Sequence, residues 1–158
     1  MIYFTDNEIE SLMAEEKVFN GTIEDILAFK ESDGHKRASI EMKRSDGAKF
    51  IVKLRQSLQN INDFSAIFAF QPKGSNKDFK LRRYNGKNQE HTNKLEGNKF
   101  YGFHIHIATQ RYQDAGKKEE GYAEETTRFG DIKSALKCLM QDCNIKTKLN
   151  PQTSLFSE

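Results

Sequence analysis

Residues 37–56 read Arg37-Ala38-Ser39-Ile40-Glu41-Met42-Lys43-Arg44-Ser45-Asp46-Gly47-Ala48-Lys49-Phe50-Ile51-Val52-Lys53-Leu54-Arg55-Gln56, and their alternation decides the fold class. Ala38, Ile40 and Met42 fall on one side of an extended chain, and Ser39, Glu41 and Lys43 on the other. Beyond Asp46-Gly47, Phe50, Val52 and Leu54 alternate with Lys49, Lys53 and Arg55, and Ile51 alone breaks the polar side. An Asp-Gly pair between two alternating runs signals a β-hairpin. The expectation is a hairpin over 37–56 with a two-residue turn, and with Ile40, Phe50, Val52 and Leu54 buried.

The same punctuation recurs upstream. Asn20-Gly21, Asp33-Gly34 and Asp46-Gly47 stand at equal intervals, which predicts a run of hairpins. Before them, Thr5-Asp6-Asn7-Glu8 fits a capping box, and Ile9, Leu12 and Met13 form an apolar stripe at helical spacing. A first helix should therefore run from Thr5 to about Glu16.

Downstream, Phe64 to Phe70 is almost wholly apolar, the pattern of a central strand covered on both faces. A strand over Asp78–Tyr84 and one from Phe100 to about Gln110 flank a polar loop over Lys87–Lys99. The charged stretch Gln113–Arg128 reads as a long surface loop. Ile132, Ala135, Leu136, Leu139, Met140 and Cys143 make the apolar face of a second helix over Asp131–Cys143, with Asn144 as its stop. Strands bracketed by helices indicate an α+β fold: an antiparallel sheet of about six strands flanked by an N-terminal and a C-terminal helix. Residues 1–145 are expected to form a single domain, and 146–158, with Asn150-Pro151, a flexible tail.

Composition narrows the function classes. No apolar run approaches the roughly 20 residues of a membrane span, and the N-terminus lacks the pattern of a signal peptide. A cytoplasmic protein with no membrane partner is expected. Cys138 and Cys143 are read as two reduced thiols. The net charge of +2 conceals an asymmetry. Residues 1–29 carry one Lys against seven Asp and Glu, a balance of −6. Residues 30–101 carry 16 Lys and Arg against eight Asp and Glu, a balance of +8. A basic block of this kind suits phosphate-bearing ligands, and equally suits a solvated sheet with lysines guarding its edges.

Three of the four histidines, His91, His104 and His106, lie within 16 residues. Period-2 sorting sends Phe103, Ile105 and Ile107 to the core and His104 and His106 to the opposite face. On the preceding strand, Lys80, Arg82 and Tyr84 share a face, and Arg83 goes with Phe79 and Leu81. If the first of these faces is the histidine face, Lys80, Arg82, Tyr84, His104 and His106 converge, with His91 arriving from the loop. Arg82 would then fix a phosphate, Tyr84 would stack on a base, and His104 and His106 would act as acid and base without a metal, with His91 closing the site. The same histidines allow a single ion with His91 as third ligand, a reading weakened by the lack of a carboxylate at ligand spacing. No cofactor is expected. Signatures for nucleotide-binding loops, H-E-x-x-H metalloenzymes, Cys-x-x-Cys pairs and two-copy H-x-[ST] phosphodiesterases are absent.

The block Arg83-Tyr84-Asn85-Gly86, His91-Thr92-Asn93, Phe103-His104-Ile105-His106-Ile107-Ala108-Thr109 and Arg111-Tyr112-Gln113 resembles an uncharacterised family of small bacterial proteins often carried by phages and other mobile elements. The resemblance extends from the first helix to Asn144, and Asn85 and Arg111, which stand within this block, are further ligand-binding candidates. It implies a context rather than an activity. A fainter similarity is to the ribonuclease toxins of toxin–antitoxin pairs. Two readings follow. One is a protein that binds RNA or a nucleotide, extending to a metal-independent ribonuclease toxin. The other is a non-catalytic module with a protein partner, such as a phage-encoded inhibitor of host defence.

Overall fold

The structure is a computed structural model and describes residues 2–148. The chain runs through α1 (Asp6–Ala14), β1 (Lys17–Asn20), α2 (Ile23–Ile26), β2 (Lys30–Ser32), β3 (His35–Lys43), β4 (Lys49–Ser57), β5 (Phe64–Gln71), β6 (Phe79–Asn85), β7 (His91–Thr92), β8 (Lys99–Phe100), β9 (His104–Ile107), α3 (Gln110–Asp114), β10 (Ala123–Glu125), α4 (Ile132–Asp142) and β11 (Ile145–Lys148). Seven strands form one antiparallel sheet in the order β10-β9-β6-β5-β4-β3-β2. The fold is α+β, as expected. The apolar β5 lies at its centre, and α1 and α4 cover one face. No helix among the described residues is long and apolar enough to cross a membrane.

The helices start where their caps dictate. Thr5 and Glu8 make both halves of the capping box at α1, and Asp131 and Ser134 do the same at α4. Ile9, Leu12 and Met13 from α1 and Ile132, Ala135, Leu136, Leu139 and Met140 from α4 are buried against Phe50, Val52, Leu54, Phe64, Phe68, Phe70 and Phe79 of the sheet. Asn144 ends α4 in the left-handed region, at φ +56°. The buried Lys17 ties the two helix ends together: its Nζ donates to Leu12 O, Met13 O and Glu15 O near the end of α1 and to Cys143 O at the end of α4. Cys138 and Cys143 are free thiols.

The hairpin over 37–56 is present, with β3 and β4 in unbroken register from His35↔Ser57 to Lys43↔Lys49. Phe50, Val52 and Leu54 are buried and Ile40 is half-buried. The turn is not the two-residue form. Arg44 N–H donates to Ala48 O (2.8 Å) and Gly47 N–H to Arg44 O (3.2 Å), so Ser45-Asp46-Gly47 form a three-residue loop with Gly47 alone at positive φ, +94°. The two-residue turn occurs one hairpin earlier, where Asp33 (φ +53°) and Gly34 (φ +77°) join β2 to β3. Asn20-Gly21 makes no hairpin. It leads into α2, and β1 pairs in parallel with β11.

Three further segments depart from expectation. Residues 146–148 belong to β11 rather than to a flexible tail, and residues 149–158, the rest of that tail, lie outside the described residues. The strand expected from Phe100 to Gln110 is split into β8 and β9 and gives way to α3, which Thr109 caps. Within the expected loop Gln113–Arg128, β10 adds a seventh strand at the sheet edge.

One irregularity decides the geometry of the site. Phe68 lies opposite Arg82 and Ala69 opposite Lys80, so Leu81 is the extra residue of a β-bulge. Up to the bulge, Phe79 faces the core and Lys80 the open side. After it, Arg82 and Tyr84 face the core side, while Arg83 and Asn85 face the open side.

Candidate functional site: a histidine cluster at the end of a basic sheet face

The uncovered face of the sheet carries two cross-strand rows. In the first, Lys30, Arg37, Arg55, Ser65, Asn85 and His104 stand opposite one another on β2, β3, β4, β5, β6 and β9. In the second, Ser39, Lys53, Ile67, Arg83 and His106 do the same on β3, β4, β5, β6 and β9. Five strand spacings of about 4.8 Å make the first row about 24 Å long. A groove of about 820 Å³ opens along it, lined by Lys30, Arg37, Lys53, Arg55, Ile67 and Arg83 among others. Acidic partners hold part of this charge: Arg55 pairs with Asp63 (2.8 Å), Lys53 with Asp78 (2.6 Å) and Arg83 with Glu120 (2.8 Å). Lys30 and Arg37 have no ion pair among the described residues.

The rows end at three imidazoles. His104 and His106 are buried on β9. His91, half-buried, reaches them from β7, one arm of a two-stranded excursion with β8. Ring centroids lie 5.5 Å apart for His91–His104, 4.8 Å for His91–His106 and 4.9 Å for His104–His106. Each ring has one nitrogen on a carbonyl oxygen: His104 Nδ1 on Gly102 O (2.9 Å), His106 Nδ1 on Glu120 O (2.7 Å) and His91 Nε2 on Asn93 Oδ1 (2.8 Å). The buried Asn93 is itself fixed, because its Oδ1 accepts from Ala123 N–H and its Nδ2 donates to Ala123 O, both at 2.8 Å. A carbonyl oxygen only accepts, so these ring nitrogens carry the protons. Burial, reinforced by His104, pushes His106 down to about 3, and burial likewise lowers His104. Both shifts favour the neutral ring. Neutral rings can accept protons or ligate a metal, and burial disfavours the imidazolium form.

The candidates taken from the sequence separate. His91, His104 and His106 come together, and Asn85 joins them, its Nδ2 3.3 Å from His106 Nε2. Lys80 is on the open face, but its ammonium pairs with Asp78 (3.0 Å). Arg82 and Tyr84 are not part of the site. The bulge turns both to the helix side, where the fully buried Tyr84 donates to Asp142 Oδ2 (2.6 Å), and burial raises its pKa far above the ordinary phenol value. Tyr84 thus cannot stack on a base. Arg111, on α3, is ion-paired with Glu96. Arg83, placed on the core side by simple alternation, occupies the position expected for Arg82. Asn93 and Glu120 were missed as supports of the cluster. The signal for Arg83 was present in the chain: the apolar positions Phe79, Leu81 and Tyr84 change parity across Arg82-Arg83.

A model of a family of unknown function (DUF6978) matches residues 4–145. The chain belongs to this family. The match takes in α1 through α4 and all three clustered histidines, so the whole candidate site lies within the family region. No curated protein and no solved structure matches the chain.

Proposed function

We propose that this family member binds RNA along the open face of its sheet, holding the phosphate chain in the basic groove with the histidine cluster at one end. The observation that carries this reading is the row Lys30–Arg37–Arg55. Like charges directly opposite one another on neighbouring strands destabilise a sheet. Lys30 and Arg37 face each other without an ion pair among the described residues, and Arg55, next in the row, is compensated in part by Asp63. An anionic ligand relieves that repulsion, and a path of about 24 Å suits a chain of phosphates better than one nucleotide. With Tyr84 in the core, binding rests on charge rather than on base stacking, which favours contact with the backbone over sequence readout. Cleavage by an acid–base pair of His104 and His106 is not included, because burial disfavours the imidazolium that the acid would need. The mobile-element context implied by the resemblance is compatible with a toxin or an anti-defence role, either of which would follow from the identity of the RNA.

Fluorescence anisotropy of a labelled single-stranded RNA tests the proposal. Affinity should fall steeply as salt rises, because phosphate contacts release counterions, and replacing both Arg37 and Arg83 by Ala should flatten that dependence by about two contacts. Absence of RNA binding at low salt would overturn the reading and leave a protein-interaction module as the better account. The acidic N-terminal segment would then be the surface to examine.

A further inference from the structure

We propose that His91, His104 and His106 form a three-imidazole site for a divalent transition metal of the zinc class. The proposal goes beyond RNA binding and does not depend on it. One ring nitrogen from each residue lies within 4.8 Å of those of the other two. One nitrogen of each ring is tied to Gly102 O, Glu120 O or Asn93 Oδ1, the arrangement by which metal-ligating histidines are oriented and held in one tautomer. The lone pairs are thereby left on Nε2 of His104, Nε2 of His106 and Nδ1 of His91. Of these, His106 Nε2 has a neutral donor, the Asn85 amide, at 3.3 Å. The buried Asn85 Oδ1 has no hydrogen-bond partner among the described residues, so the amide that now donates has an oxygen to turn toward a cation.

The donor set selects the metal. Three imidazoles without a carboxylate or thiolate among them suit Zn²⁺, Cu²⁺, Ni²⁺ or Co²⁺ and are poor ligands for Mg²⁺ or Ca²⁺. An ion about 2.0–2.1 Å from each nitrogen draws the three closer than they stand here. His91 is the ring placed to make that movement, since it is the least buried of the three and sits on a two-residue strand. Three protein ligands leave a fourth position open, as in sites that present a metal to a substrate rather than sites that only brace a fold.

The test uses untagged full-length protein stripped with chelator, without RNA. Titration with Zn²⁺ by calorimetry and with Co²⁺ by visible absorption should each show one saturable site per chain. Co²⁺ should give the intense bands of a tetrahedral complex. His91→Ala, a substitution at a half-exposed position that leaves the core intact, should weaken Zn²⁺ binding by about 100-fold or more. Asn93→Ala should weaken it by about 10- to 100-fold through loss of the hydrogen bond that orients His91. Zn²⁺ should raise the melting temperature of the wild type and not that of His91→Ala. Lack of saturable binding by either ion, or Zn²⁺ affinity unchanged in a folded His91→Ala protein, would overturn the proposal. Neither result bears on RNA affinity, which is measured separately.

Discussion

Along β4, one parity holds from Lys49 to Ser57, with Phe50, Val52 and Leu54 turned to the helices. Along β6, parity holds only as far as Lys80. The extra residue, Leu81, then sends Arg82 and Tyr84 to the helix side and brings Arg83 and Asn85 to the open side. The two strands lie on either side of β5 and have similar composition, yet only one presents a different set of residues from the set its alternation names. A bulge costs a ladder its regularity and in return re-aims side chains. Here it delivers Arg83 to a position between the basic rows and the histidine cluster, and it puts Tyr84 where its hydroxyl can reach Asp142.

The sharpest energetic difference is between the two faces that this parity separates. Leu136 is fully buried on α4 against the covered face, and Leu136→Ala should lower stability by about 2–5 kcal/mol in urea denaturation. Arg37→Ala, on the open face, should leave the midpoint nearly unchanged or raise it, because it removes a repulsion. Equal losses from the two variants would mean that the open face is part of the packed core.

A smaller effect distinguishes the β3–β4 turn from an ordinary tight hairpin. Only Gly47 in that loop has positive φ, so Gly47→Ala should cost about 1–2 kcal/mol, while Asp46→Gly should cost less. A larger loss at Asp46 would restore the two-residue turn that the Asp-Gly pair suggests.

The smallest effect concerns what the bulge does for Tyr84. Burial alone would raise the Asp142 carboxyl, but hydrogen bonds from Arg128 and Tyr84 outweigh it and hold its pKa below the usual aspartate value. In acid the unfolded chain takes up this proton before the native one does, so the contribution is complete above about pH 4 and is lost as pH falls through the lower native value. Asp142→Asn should therefore flatten stability against pH below about pH 4, measured by chemical denaturation. A slope identical to wild type would show that Asp142 is not held in this way.

How far the chain could be read follows from the range of each interaction. The β3–β4 pairing, the capping box at Thr5 and Glu8, the apolar faces of α1 and α4 and the stop at Asn144 depend on residues within a few positions of one another. Each was legible. The pairing of His104 with His106 on one face was legible for the same reason, being a matter of period alone. The partner strand was not, since one extra residue reverses every assignment beyond it. The clue, a change from spacing two to spacing three at Phe79, Leu81 and Tyr84, is a single interval that alternation over six residues easily hides. The arrival of His91 was expected, but its anchoring by Asn93 to Ala123, thirty residues on, has no local signature. β10 and α3 were likewise hidden, as three- and five-residue elements in a charged stretch where tertiary contacts decide.

The measurement that bears most directly on the account compares Arg82→Ala with Arg83→Ala in RNA binding, each variant also being checked for folding. Adjacent in sequence, the two arginines are assigned to opposite faces by the bulge, and Arg83 additionally pairs with Glu120. Arg83→Ala should weaken binding by about tenfold, the loss of one charge-assisted hydrogen bond, and should lower the salt dependence by about one contact. Arg82→Ala should leave affinity unchanged. Weaker binding by Arg82→Ala with Arg83→Ala unaffected would contradict both the bulge-derived geometry and the proposed RNA path.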